Sequence, residues 1–198
     1  MAVVKLTKNE LKNQKDSLKR FQRYLPTLIL KKQQLQMVMR QVEQKIKDVE
    51  TERESVYTAL QPWIGVFGEK IELVSLVKIK SIVKNTGNIA GVDIPVFSDL
   101  EFDFVEYDLF SMPVWVDRGL DILKKMAAYD AEIEVLKEQL RLLGEELQIT
   151  TQRVNLFEKV KIPETKTNIR KIQIYLGDQQ TASVVRGKMA KNKIVKVS

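Results

Sequence analysis

Over two long stretches of this chain the apolar residues step by three and four, and nothing else in it limits the possible folds as much. The first series is Leu11, Leu18, Phe21, Leu25, Leu28, Leu35, Met39, Val42, Ile46, Val49, Val56 and Leu60. The second is Met126, Tyr129, Ile133, Leu136, Leu140, Leu143, Leu147, Val154 and Phe157. A spacing that averages about 3.5 residues draws one narrow stripe along a helix, and such a stripe needs a partner helix. The simplest partner for each series is the other. The expected fold is mainly α: a long antiparallel two-helix coiled coil, with a small β-hairpin insert at the middle of the chain. Leu28, Leu35, Val42, Ile46, Val49, Leu136, Leu140, Leu143, Leu147, Val154 and Phe157 are its expected core.

Local signals divide the chain into an N-terminal coiled-coil helix (1–64), a β-hairpin and acidic loop insert (65–113), and a C-terminal coiled-coil helix with a basic tail (114–198). Thr7 with Glu10 three residues on has the form of a capping box. The first helix should reach about Trp63, roughly 85 Å at 1.5 Å per residue. Lys32 and Arg53 interrupt one seam row and are read as charges at its edge, their stems lying along apolar surface. Pro26 forfeits the bond to the Gln22 carbonyl. The preferred reading is a kink over residues 22–26; the alternative is a helix that begins only near Pro26.

Gln61 to Gly68 holds a Pro and two Gly and should end the first helix. From Lys70 to Lys84 the residues are β-branched and partly alternating. Asn85-Thr86-Gly87-Asn88 reads as the turn, and Ile89 to Phe97 as a second strand in which Pro95 marks an edge or an end. A hairpin alone is barely stable in water, so this one must pack on the helices or on another subunit. Ser98 to Pro113 is acidic and aromatic. Its carboxylates lack the spacing of a metal-binding loop and are read as an exposed loop. The second helix should start near Val114–Asp117 and keep its heptad to Phe157, with Thr150 a polar seam residue and Gly144 permitting close approach. Pro163 shifts the phase, Ile162, Ile169, Ile172 and Leu176 resume it, and the basic tail Arg186–Lys196 should fray at its end.

Composition narrows the function. The chain has no Cys and no His. Disulfides and thiolate metal sites are excluded, as are the commonest general base and metal ligand. No phosphate-binding glycine loop, nucleophile elbow or zinc signature is present, so no catalytic, cofactor-binding or metal residues are assigned and no cofactor is expected. No run of about 18 apolar residues occurs, so no direct membrane insertion is expected, nor does the start look like a signal peptide. The net charge of +7 hides a pattern: residues 1–50 and 161–198 carry +7 each, and residues 51–160 carry −7. In an antiparallel hairpin the two basic segments lie side by side, an arrangement that calls for an acidic partner around them.

Several stretches resemble one family. Arg153-Val154-Asn155-Leu156-Phe157-Glu158 through Ile162-Pro163, followed by Thr167-Asn168-Ile169-Arg170-Lys171-Ile172, is similar to the RVNALE…IP…TI..I signature of the D subunit of V-type and archaeal-type ATPases. Leu6-Thr7-Lys8-Asn9-Glu10-Leu11 resembles that family's N-terminal PTK.EL, and Leu28 to Leu35 its LLK.KRDEL. Asn88-Ile89-Ala90-Gly91-Val92-Asp93-Ile94-Pro95 resembles its N..GV.IP segment. The matches run in order over most of the chain. Gln33-Gln34 departs from the family's acidic pair, Pro26 has no expected counterpart, and the C-terminal end follows the family only loosely.

The resemblance implies a non-catalytic central-stalk rotor subunit, cytoplasmic and peripheral on a membrane-bound ATPase. It would couple ATP hydrolysis or synthesis in the head to ion translocation by rotation. Implied partners are the catalytic A and regulatory B subunits of the head, the small F subunit, and the C-type (d) socket subunit. Head contacts would fall to Lys8, Lys12, Lys15, Lys19, Arg20, Arg170, Lys171, Arg186 and Lys188. F-subunit contacts would fall to the hairpin residues Ile71, Leu73, Leu76, Val77, Ile79, Ile89, Val92 and Ile94. The alternative is a basic coiled coil that binds nucleic acid or acts as a scaffold. A sequence pI of about 9.4 favours it; the acidic middle and the lack of aromatics among the basic residues oppose it, and no nucleic-acid partner is expected.

Overall fold

The computed structural model describes residues 4–68, 76–104 and 112–197. The first helix, α1, spans Lys8–Leu60. A 3₁₀ segment, Gln61–Gly68, follows. Strands β1 (Val77–Ile89) and β2 (Val92–Phe104) form a two-stranded antiparallel sheet. Helix α2 spans Trp115–Asn155, a π-helical segment covers Leu156–Lys161, and α3 spans Ile162–Val197. The architecture is mainly helical, with two long helical stretches and a small hairpin between them in sequence.

The start of α1 is capped as expected: the Thr7 hydroxyl oxygen accepts the Glu10 N–H at 3.2 Å. Glu10 does not reach back to close the box; its carboxylate accepts from the Gln14 amide at 2.7 Å. Because α1 begins at Lys8, a late start near Pro26 is not what folds. The helix runs through Pro26, which sits on the exposed face, where solvent reaches the carbonyl that proline leaves unbonded. Thr27 adds a local bond there, donating to the Tyr24 carbonyl at 2.8 Å.

Two compact units make up the chain: Met1–Lys32 with Ile149–Ser198, and Gln33–Gln148. In the second unit, Leu35, Val42, Ile46 and Val49 of α1 form one core with Ile133, Leu136 and Leu143 of α2. Half-buried Leu140 and Leu147 pack against it. The ion pairs Lys45–Glu132 (2.9 Å) and Arg53–Asp130 (2.7 Å), with Met39 near Gly144, show α1 and α2 antiparallel here. Arg53 is thus an edge-of-seam charge with a partner across the pair. Gly144 is not needed for close approach: an added Cβ would meet only the Met39 Cε, at 3.9 Å.

In the first unit, Val154, Thr165 and Ile172 are buried, and Leu28 and Phe157 are half-buried. The rings of Phe21 and Phe157 meet at 5.2 Å. The seam here advances by fours from Phe157 through Lys161 and Thr165 to Ile169, faster than an α-helix turns. The π segment absorbs that excess. The Ile162 N–H reaches the Phe157 carbonyl, five residues back, so the backbone widens just before Pro163, which has no N–H to donate. The phase shift expected at Pro163 therefore takes the form of a π segment. Beyond it, α3 is helical through Val197 rather than frayed.

The hairpin differs from the sequence expectation in its turn. Ile89 pairs with Val92, so the turn is Ala90-Gly91 and β1 includes Asn85–Ile89. Both turn residues have positive φ, 53° and 77°, which matches the twist of a two-residue hairpin loop. Asn88 braces it: its carbonyl oxygen accepts the Gly91 N–H at 3.2 Å, and its amide donates to Asp93 at 2.6 Å. Gly87 lies in the strand opposite Ile94, where an added Cβ would sit 3.0 Å from Val96 Cγ2. β2 also extends through Phe104, so the first part of the expected acidic loop is strand; residues 105–111 lie outside the described residues. Register shifts between Ile79 and Ser81 and between Val83 and Lys84 break the simple alternation read in the sequence.

Candidate partner-binding surfaces

The first unit concentrates positive charge. It carries twenty Lys/Arg and five Asp/Glu, a net +15, whereas the second unit carries thirteen and twenty-one, a net −8. Lys8, Lys12, Lys15, Lys19, Arg20, Arg170, Lys171, Arg186 and Lys188 are all exposed, and all lie in this unit. Gln14, Ser17 and Phe21 of α1 share a shallow groove with Lys161, Glu164, Thr165 and Asn168, so the N-terminal lysines run beside the stretch that carries Arg170 and Lys171. Arg186 and Lys188 lie farther along α3.

Every described side chain from Gly177 to Ile194 is exposed. That is about 27 Å of helix at 1.5 Å per residue. It carries Val184, Val185 and Met189 among the basic residues, all three more than two-fifths exposed. Isolated helices of this length are marginal in water, and apolar side chains among the basic ones give such a helix a surface to bury.

In the second unit the hairpin residues divide by burial. Ile94 is buried in the helical core, and Ile89 and Val92 pack against it. Leu76 is buried and Val77 packs beside it in a second cluster with Val116, Leu120, Phe67 and Trp115. Ile79 is 57% exposed, and Val96, on the same strand face as Ile94, is less so. Ile71 and Leu73 lie outside the described residues. The hairpin's apolar residues are thus mainly consumed by its own helices, leaving a smaller face than the sequence implied.

Two features carried too little sequence signal to be assigned. Trp63, Phe67 and Trp115 form a ring cluster with centroids 5.6 and 5.3 Å apart, and the Arg118 guanidinium lies 5.8 Å above Trp63. Val114 beside it is 97% exposed. The clue was that the chain's two tryptophans each sit at a helix boundary. The second feature is Gln139, a buried polar residue whose amide donates to the Pro95 carbonyl at 2.6 Å.

Arg141 bonds Glu138 at 2.7 Å and Glu145 at 2.6 Å. Its hydrogen bond and its charge, with Lys84 adding to them, hold the Glu138 carboxyl below the usual carboxylate range. The same contacts push the Arg141 guanidinium further up. Among the described residues no group of three or more acidic side chains is placed to hold a metal ion, and no helix is long and apolar enough to cross a membrane.

Fold and surfaces together describe a mainly helical protein with buried seams, an inserted hairpin and positive charge concentrated in one unit. The model of the ATP synthase D-subunit family matches residues 10–192, and the chain belongs to that family. It is 52% identical over 196 residues to the V-type ATP synthase D subunit of Borreliella burgdorferi, covering 99% of this chain and 97% of that one. The V-type ATP synthase D subunit of Chlamydia pneumoniae is 38% identical over 198 residues, covering 96% and 93%. That of Chlamydia abortus is 37% identical over 196 residues, with the same coverage.

Proposed function

We propose that this chain is the central-stalk rotor subunit of a V-type ATPase or ATP synthase, non-catalytic itself and peripheral on the membrane-bound complex in the cytoplasm. Its basic unit sits within the head formed by catalytic A and regulatory B subunits. Its hairpin faces the small F subunit, and its acidic part faces the C-type (d) socket. Residues 1–64 and 114–198 supply the shaft, and residues 65–113 the docking insert. Membership of the D-subunit family supports a place in the complex. The observation that carries the rest is the exposed end of α3 on a unit with a net charge of +15. A helix end left this open, with basic and apolar side chains together, suits a cavity lined by other subunits.

An asymmetric shaft presents a different face to each catalytic interface in turn and shifts its conformational equilibrium. The seam residues keep the shaft stiff, and the exposed basic side chains act as low-specificity bearing contacts. Each such contact contributes little, as exposed ion pairs do. Single neutralisations should therefore leave the reconstituted complex nearly unchanged. Replacing all nine basic residues named above with Gln should lower ATP-driven ion pumping severalfold. Full rates of both ATPase and pumping in that variant would reject the bearing role. Purification of the tagged chain from its native host should recover A, B and F subunits with ATPase activity. Recovery of salt-sensitive nucleic acid alone would favour the other reading.

A further inference from the structure

Among the described residues the hairpin is a two-stranded sheet with no strand paired to either outer side, and such a sheet is marginal without support. Support comes from the helices, on which Ile89, Val92 and Ile94 pack. Ile94 is buried among α1 and α2 side chains, facing the space that Gly87 leaves in the opposite strand. The next residue, Pro95, has no N–H. In an antiparallel strand a residue's N–H and C=O point to the same side, so at Pro95 the unpaired edge presents a carbonyl alone. That carbonyl accepts a 2.6 Å hydrogen bond from the Gln139 side-chain amide. Gln139 lies on α2 among the core residues Leu136, Leu140 and Leu143 and is only 6% exposed. A buried amide has little water to turn to, so its donor is committed to the strand.

We propose that Gln139 is the positioning residue of the hairpin: with Ile94 as an apolar peg, it latches β2 to α2 and fixes the direction in which the exposed Ile79 side chain is presented. Apolar burial is non-directional and lets a strand slide or rock. A hydrogen bond to one backbone carbonyl selects one placement. Only the second readout below rests on the reading that this face meets a partner subunit.

The test uses the full chain and two substitutions. Gln139→Met keeps the length and removes the donor. Gln139→Glu keeps the shape but, as a carboxylate, cannot donate. In hydrogen exchange, Gln139→Met should speed the ladder-bonded amides of Val92, Ile94 and Val96 by up to about tenfold, the scale of one lost hydrogen bond. The amides of α1 and α2 should stay at their original rates. Gln139→Glu should match it where the carboxyl is ionised, and its protection factors should recover as falling pH protonates the carboxyl and restores a donor, at a pH raised above the ordinary carboxylate range by burial. Unchanged hairpin protection in Gln139→Met overturns the latch. So does equal loss throughout α1 and α2, which would make Gln139 a general core residue. The second readout is affinity for a purified small F subunit, expected to fall in Gln139→Met. Faster hairpin exchange with unchanged affinity would keep the latch and remove the partner reading of this face.

Discussion

Leu35 and Met37 lie two residues apart on one helix and face opposite ways. Leu35 is fully buried, whereas Met37 is 60% exposed. Leu35→Ala removes about three methylene equivalents, worth ~0.8 kcal/mol each when buried, or ~2.4 kcal/mol. The void left in the helical core adds about 1 kcal/mol, since close-packed helices relax only in part. The expected loss is about 3–4 kcal/mol. Met37→Ala removes a side chain of similar length and helix propensity from water-exposed surface, and should change stability by no more than ~0.5 kcal/mol. Urea titration of the isolated chain, followed by helical circular dichroism, gives both values if the slope is unchanged. In a thermal scan the Leu35→Ala midpoint should fall by about 6–16 °C, at ~2–4 °C per kcal/mol for a chain of this size. Equal losses for the two variants would refute the claim that one apolar seam holds the helix pair together.

Gly144→Ala should stabilise the chain by about 0.5–1 kcal/mol, because helix propensity improves and the new methyl meets only Met39 Cε; chemical denaturation checks it. Gly87→Val should loosen the hairpin, since a Cβ there would lie 3.0 Å from Val96 Cγ2, and hydrogen exchange of β2 should rise while α1 stays protected. The Glu138 carboxyl is held below its ordinary value of 4.5 mainly by its hydrogen bond to Arg141. A depressed folded-state value gives stability that is present above 4.5 and lost as pH falls through the folded value. Glu138→Gln should therefore show a slightly shallower acid decline in melting temperature below that pH, with the two chains parallel above it. Deleting Val160 should convert the π segment toward α geometry with Thr165 and Ile172 still on the seam, because that segment holds the one extra residue, so the melting temperature should hold; a large fall would reject the phase argument.

The long helices were legible because a seam repeats its signal many times, so that Lys32, Arg53 and Thr150 could interrupt it without hiding it. The cap at Thr7 and the phase change at Pro163 were legible for the same local reason: each follows from the hydrogen-bonding capacity of one residue. The turn was not. Asn85-Thr86-Gly87-Asn88 has the composition of a turn, but packing of Ile89, Val92 and Ile94 on the helices sets the register. That register moves the reversal to Ala90-Gly91 and leaves Gly87 as a space for its neighbours. The candidate surfaces were legible in charge and not in detail. Lysines at exposed helical positions announce themselves by number. The outward direction of Ile79, the Trp63–Trp115 cluster and the Gln139 contact depend on residues far apart in sequence, and no periodic pattern encodes them.

The proposed rotor role places the basic unit inside the head of the complex. The chain has no cysteine, so single cysteines at Lys188 on α3 and at Val114 beside the aromatic cluster can each carry a photo-cross-linker in the assembled complex. The account predicts that the Lys188→Cys probe captures catalytic A or regulatory B subunits and that the Val114→Cys probe does not. Capture of head subunits from Val114→Cys, with none from Lys188→Cys, would contradict it.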